Sequence, residues 1–402
     1  MKTMPHRFAR IRRFHFNLPQ RIAAGLLAVF LLQGFWIIGH QTLTDRDYHY
    51  ADCGRRSWEQ PAQFASGLPP CGGIPDGILA YRLAGLPLTL DLLAERALDH
   101  LRKPEDRVVQ TSGWVSTWEL RHQLTLTLLL LRLSFLAVGC MLGGGLWWVT
   151  RRLYGNLGGY TALTLYCFSP AVLKACVAPN AEALAALGLY GGVYTCIGVA
   201  HAMQGPRRKW RPRILLLMAA FGLAAGSHLS ALFLVALLGL AAMLWVAEGR
   251  RKQILPIVLI VAAGALAFLF ACYGFSLQAF GACLHLQVGQ WGLSLDPAMR
   301  FFSTPSNAGI SVAAAAALLL YLNARRSRYF GNSVPLICAV ALLPLILNGS
   351  PCLWALPFLL TFISGVLADA YESPRGRWAM GAAAAILLLQ AVLCVLSLPR
   401  LI

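Results

Sequence analysis

Acidic side chains are scarce in this chain, with 16 Asp and Glu among 402 residues against 34 Lys and Arg. Charged residues of both signs make up only 12%, about half of what a soluble domain carries. That shortage excludes an ordinary soluble enzyme, and the 58% of hydrophobic residues excludes a disordered chain. No Cys-x-x-Cys pair or histidine-rich spacing suggests zinc. No repeat, low-complexity tract or soluble domain is visible either. A net charge of +18 suits nucleic acid only when it forms a basic face on a soluble fold. Here the basic residues fall in short clusters between long apolar runs, which points away from nucleic acid and towards a membrane protein obeying the positive-inside rule.

With a mean hydropathy of +0.62, the chain divides into stretches that match the ~20 apolar residues a bilayer crossing needs. Eleven are read as spans: roughly 22–40, 123–149, 156–171, 182–202, 214–227, 229–246, 254–274, 309–323, 334–348, 352–369 and 379–397. The 214–246 region fits one long helix or a tight hairpin, and Gly226-Ser227-His228 at its centre suits a turn. With the N-terminus in the cytoplasm, 21 of the 34 basic residues fall on one side in strict alternation, and the 41–122 segment holds eleven of the sixteen acids. The expected protein is therefore all-α and polytopic, in a bacterial inner membrane, with the C-terminus outside. Residues 1–21 form a basic amphipathic cytoplasmic stretch. Residues 22–402 form a single transmembrane domain with outer loops at 41–122 and 275–308. No small-residue cleavage site follows the first span, so it reads as an uncleaved signal anchor. Within the first outer loop, Leu90, Leu93, Ala97 and Leu101 recur at helical spacing, as in an amphipathic helix along the membrane surface. Cys53 and Cys71 share that loop, and a bridge and two free thiols remain equally open.

Chemistry has few places to reside. Thr44-Asp45-Arg46-Asp47-Tyr48 lies just outside the first span. Two carboxylates at i and i+2 suit a hard divalent cation, Mg or Mn, or a general base for a hydroxyl. The plainer reading is a solvated acidic loop balanced by nearby arginines. Glu182 opens the fourth span and Lys174 precedes it. A charge at membrane depth suggests function, while an acid at a helix N-terminus is also favoured by the macrodipole and Asn180 suits a cap. Arg132 stands in the second span, either snorkelling outward or facing phosphate. His228 is a lone histidine in an apolar hairpin, more often a packing residue than a catalyst. All six fall at the outer ends of spans.

Four segments resemble the GT-C superfamily of membrane glycosyltransferases, which includes protein O-mannosyltransferases, aminoarabinose transferases of lipid A and RgtA/B/C/D-like enzymes. Thr44–Tyr48 is similar to the family's first-loop acidic motif. Leu131–Phe135 through Thr150–Gly159 is similar to its second span and cytoplasmic turn, R-x-S … R-x-L-x-G-x-x-x-G. Phe168-Ser169-Pro170 followed by Pro179–Leu184 looks like its SP … (T/P)-x-x-(D/E)-x-L element, and Gly222–Leu232 resembles its hairpin, with His228 where Lys is usual. The family's late Arg/His-Tyr-x-x-x-Pro pattern is reduced here to Pro351–Pro357.

The resemblance implies inverting transfer of a sugar from a polyprenyl-phosphate donor to a glycan, lipid or protein hydroxyl on the outer membrane face. It implies that Asp45 or Asp47 is the catalytic carboxylate and that Glu182 is the second acidic position. Arg132, Lys174 and His228 would bind the donor phosphate, and Asp47 and Glu182 are the candidate ligands of any metal. Two other classes stay open: a transporter or flippase of a lipid-linked or anionic substrate, and a non-catalytic subunit of surface-polysaccharide assembly.

Overall fold

The computed structural model describes residues 17–59, 77–101, 124–205, 210–278, 280–281, 291–347, 352–374 and 376–401. Most of the basic N-terminal stretch, Cys71 and the 102–122 part of the first outer loop lie outside the described residues.

The apolar runs become helices because a helix satisfies its own backbone, which lipid cannot do. In chain order they are α1 (Leu18–His40), α2 (Asp45–Glu59), α3 (Ile78–Leu101), α4 (Leu124–Cys167), α5 (Pro170–Val177), α6 (Glu182–Met203), α7 (Arg211–Ser227), α8 (Leu229–Val246) and α9 (Ile254–Cys272). They continue with α10 (Asp296–Ser303), α11 (Ala308–Asn323), α12 (Phe330–Leu342), α13 (Cys352–Tyr371) and α14 (Gly376–Ser397). A short antiparallel ladder pairs β1 (Trp291–Leu293) with β2 (Leu345–Leu347). Among the described residues, eight helices are long and apolar enough to cross a bilayer: α1, α4, α6, α8, α9, α11, α13 and α14. The protein is an all-α, multi-pass integral membrane protein.

α4 is a hairpin. Gly155 adopts φ 75°, ψ −172°, a conformation essentially restricted to glycine. The two arms fold back so that the Tyr166 hydroxyl donates to the Gly139 carbonyl at 2.6 Å. The expected spans 123–149 and 156–171 are its two arms. Two further expected spans are α7, with 17 residues, and α12, with 13. Both are shorter than the ~20 residues of a straight crossing, so helix length alone does not reach the expected eleven. The 214–246 region is a hairpin, broken at His228, whose backbone is extended.

α13 is buried along 89% of its most apolar stretch and forms the centre of the bundle. α4, α6, α11, α12 and α14 pack around it. α7 and α8 pack on the far side of α6, where a Cβ on Gly188 would come 2.5 Å from the Ala224 backbone nitrogen. Such close helix crossings are what small residues allow in membranes. The basic clusters gather at one end of the bundle, where Arg213 and Arg250 donate to the Gly198 and Met203 carbonyls in the last turns of α6. Arg151 and Arg152 lie over Trp147 and Trp148 at the α4 hairpin.

At the opposite end, α2 and α3 form a pair bearing directly on one another at Gly54 and Gly85. A Cβ on Gly85 would lie 2.1 Å from the Gly54 carbonyl carbon. The expected amphipathic helix is the distal part of α3, with Leu90 and Leu93 exposed while Ile78, Tyr81, Ala84 and Leu88 face inward. Gly85→Val forces backbone apart from backbone, so it is expected to destabilise the protein by about 1–3 kcal/mol. Gly145→Ala, whose Cβ would meet nothing within 4 Å, serves as the near-neutral control in the same thermal-unfolding measurement.

Candidate functional site

The non-basic rim is built where α1 runs out of apolar residues. Gln41 to Thr44 carry the chain out of α1 and into α2. The Thr44 hydroxyl and backbone N–H both donate to Asp47 Oδ2 at 2.8 Å, while the Asp47 N–H reaches Thr44 Oγ1 at 3.4 Å. Thr44-x-x-Asp47 is thus a capping box, and it starts α2.

The same carboxylate takes a second partner from α4. Arg132 Nε donates to Asp47 Oδ1 at 3.2 Å and Nη2 to Oδ2 at 2.6 Å, a fork-on-carboxylate pair with 3% and 0% side-chain exposure. Arg132 also donates to Gln41 Oε1 and to the Thr42 carbonyl. Gln41 in turn donates to the Leu401 carbonyl, drawing the end of α14 onto this rim. The Asp47 carboxylate thus receives all four of its donors from Thr44 and Arg132. Arg132 commits its fork to Asp47 rather than to a donor phosphate. Asp45, two residues away, is exposed at the first turn of α2.

A second pair forms where α6 begins. Asn180 Oδ1 accepts the Glu182 N–H at 3.0 Å, fixing the turn into α6. Glu182 Oε1 lies 3.8 Å from His228 Nε2, the residue at the break between α7 and α8. Both are buried, at 7% and 3% exposure. The His228 ring sits 5.3 Å from that of Trp354, at the start of α13. Trp354 Nε1 is buried with no hydrogen-bond partner among the described residues. Lys174 stands exposed on the last turn of α5, with no ion-pair partner among the described residues.

The α2–α3 pair links the two clusters. Tyr50 on α2 stacks on Tyr81 of α3 at 4.2 Å. At its start, the Gly77 N–H donates to the Ser227 carbonyl at 2.6 Å, next to His228. All six residues expected at the outer ends of spans lie at this end of the bundle, but they divide into one structural pair, Asp47–Arg132, one buried pair, Glu182–His228, and two exposed groups, Asp45 and Lys174. Among the described residues, no three His, Cys, Asp or Glu side chains come together to hold a metal ion. Cys53, on α2, is disulfide-bonded. Sequence reading passed over Trp354, although it lies inside the Pro351–Pro357 segment.

No family model matches the chain, and no curated protein matches it. Among solved structures, the chain is similar to ArnT from Cupriavidus metallidurans in the apo state, with a TM-score of 0.59 and 15% sequence identity over 92% of this chain and 63% of that one. The chain spans less than two thirds of that protein's length. At this identity the likeness shows the fold, which is ArnT-like.

Proposed function

We propose that this chain is an inverting glycosyltransferase that moves a sugar from a polyprenyl-phosphate carrier to a hydroxyl acceptor at the non-basic rim of the bundle. The observation that carries this reading is the GT-C-like fold over 92% of the chain, together with ionisable groups at the rim where a prenyl-anchored head group would arrive. The basic clusters at the other end support placing this rim on the outer face of an inner membrane.

In this reading Asp45 takes the proton of the acceptor hydroxyl. The acceptor oxygen attacks the anomeric carbon from the face opposite the phosphate, and the bond from that carbon to the phosphate oxygen breaks with its electron pair. The departing phosphate is met by Lys174, a cation that stabilises charge as it develops, and by the His228 ring beside it. Glu182 orients His228, and the Asp47–Arg132 pair holds α2 so that Asp45 stays at the rim. The Asp47 oxygens are filled by donors from Thr44 and Arg132 and do not suit a divalent ion.

The test is transfer from polyprenyl-phosphate sugars by the purified protein in proteoliposomes, scored for a glycosidic product. Movement of the donor across the bilayer without that product would replace the enzyme with a transporter. Sidedness has its own check. A cysteine introduced by Leu295→Cys, exposed at the start of α10, is expected to react with an impermeant maleimide in intact spheroplasts. One introduced by Trp378→Cys, 84% exposed at the start of α14, is expected to react only after permeabilisation. The reverse pattern inverts the topology.

A further inference from the structure

The first arm of α4 ends in a doubled pattern. Gly144, Trp147 and Arg151 stand at i, i+3 and i+7, and Gly145, Trp148 and Arg152 repeat that spacing one residue later. Each set falls on one side of the helix, and the two sides lie about 100° apart. Towards the basic end, each therefore presents a glycine, then an indole, then a guanidinium, over about 10 Å of helical rise.

The rings and the cations are paired. The Arg151 guanidinium lies 5.1 Å from the Trp147 ring centroid, and that of Arg152 lies 5.4 Å from the Trp148 centroid. Trp148 is 55% exposed, while Leu142 and Leu146 turn the packed side of the arm inward. Beyond the indoles the glycines leave space. A Cβ on Gly145 would meet nothing within 4 Å, and one on Gly144 would meet only Leu27 Cδ1 of α1, at 3.9 Å. Two shallow tracks thus run side by side along α4, each floored by a glycine and closed at the basic end by an indole and its cation. The cations are held in place without an anion. After the Gly155 turn, Asn156 Oδ1 accepts from Arg151 Nε at 2.9 Å. Among the described residues no carboxylate pairs with Arg151 or Arg152, and the Arg152 side chain makes no hydrogen bond.

We infer that this side of α4 binds one anionic diacyl phospholipid from the leaflet at the basic end, with the phosphate between Arg151 and Arg152 and one chain over each glycine. Charge complementarity selects the head group. Two guanidiniums without an anion suit a phosphate, which they take with charge-assisted hydrogen bonds. Two tracks along the helix suit two chains, and an indole suits the level at which head group meets hydrocarbon. The contact with its ring holds each guanidinium in advance, so less side-chain freedom is lost on binding. The site lies at the opposite end of the bundle from Asp45 and Glu182, and the inference is independent of the glycosyltransferase reading.

The test uses the full-length protein in phosphatidylcholine nanodiscs containing increasing phosphatidylglycerol, and native mass spectrometry counts the lipid retained on release. Phosphatidylglycerol is expected to be retained at least about tenfold better than phosphatidylcholine. Arg151→Gln with Arg152→Gln is expected to weaken that retention about tenfold or more, since each cation at an anionic surface is worth about fivefold. Arg251→Gln with Lys252→Gln removes the same charge from exposed side chains of the turn before α9. That variant is expected to bind as the wild type does. Gly145→Leu fills one track without altering charge, and it is expected to weaken retention about threefold or more. Wild-type retention in either the Arg151/Arg152 variant or Gly145→Leu overturns the inference. An equal loss in the Arg251/Lys252 variant also overturns it, by reducing the effect to net charge, as does equal retention of phosphatidylcholine.

Discussion

Asp45→Asn is expected to lower sugar transfer by about 10²–10⁴-fold, the range for loss of a positioned general base, while the protein unfolds at the wild-type temperature. The reason lies in how the two carboxylates of Asp45-Arg46-Asp47 are placed. Asp45 is exposed on the first turn of α2, so an asparagine there removes proton affinity and leaves packing unchanged. Both Asp47 oxygens are engaged by Thr44 and Arg132. An assay of kcat with the donor saturating, beside a melting curve, separates the two positions. Full activity in Asp45→Asn would remove it from the mechanism.

Breaking the Asp47–Arg132 pair is expected to have the largest effect on stability. Arg132→Ala leaves a carboxylate of 0% exposure beside no cation, and Asp47→Asn leaves a guanidinium of 3% exposure beside no anion. Removing one member of a buried pair costs about 3–5 kcal/mol, because the survivor stays desolvated and uncompensated. Asp47→Asn also weakens the capping box with Thr44, about a further 1 kcal/mol. The double variant Asp47→Asn with Arg132→Ala removes both charges, and it is expected to be destabilised by less than the sum of the two single effects. Chemical denaturation of all four proteins in one detergent measures this. Strict additivity of the single effects would mean that the two side chains do not act as a pair. Activity is expected to follow stability here, since the pair reaches the chemistry only by holding α2.

Much of the architecture could be read directly from residues, because bilayer physics acts locally: about twenty apolar residues in a row must become a helix, and Lys and Arg must collect at one end. The turn at Gly155 falls between the expected spans 123–149 and 156–171, and of the two readings open for 214–246 the hairpin is the one that forms, broken at His228. Even the gathering of Asp45, Asp47, Arg132, Lys174, Glu182 and His228 at one end follows from where each stands along its span.

Which of these groups touches which was not legible. The Thr44-x-x-Asp47 capping box was present in the residues, but its acid looked like half of a metal-binding or catalytic pair until Arg132, 85 positions later, arrived against it. A helical membrane protein with an acidic rim and a basic one follows from local residues, since hydropathy and charge are properties of short segments. Packing alone brings Arg132 onto Asp47 while leaving Asp45 exposed, and sets His228 against Glu182. Those distinctions depend on burial and partners, which exist only once distant segments have packed.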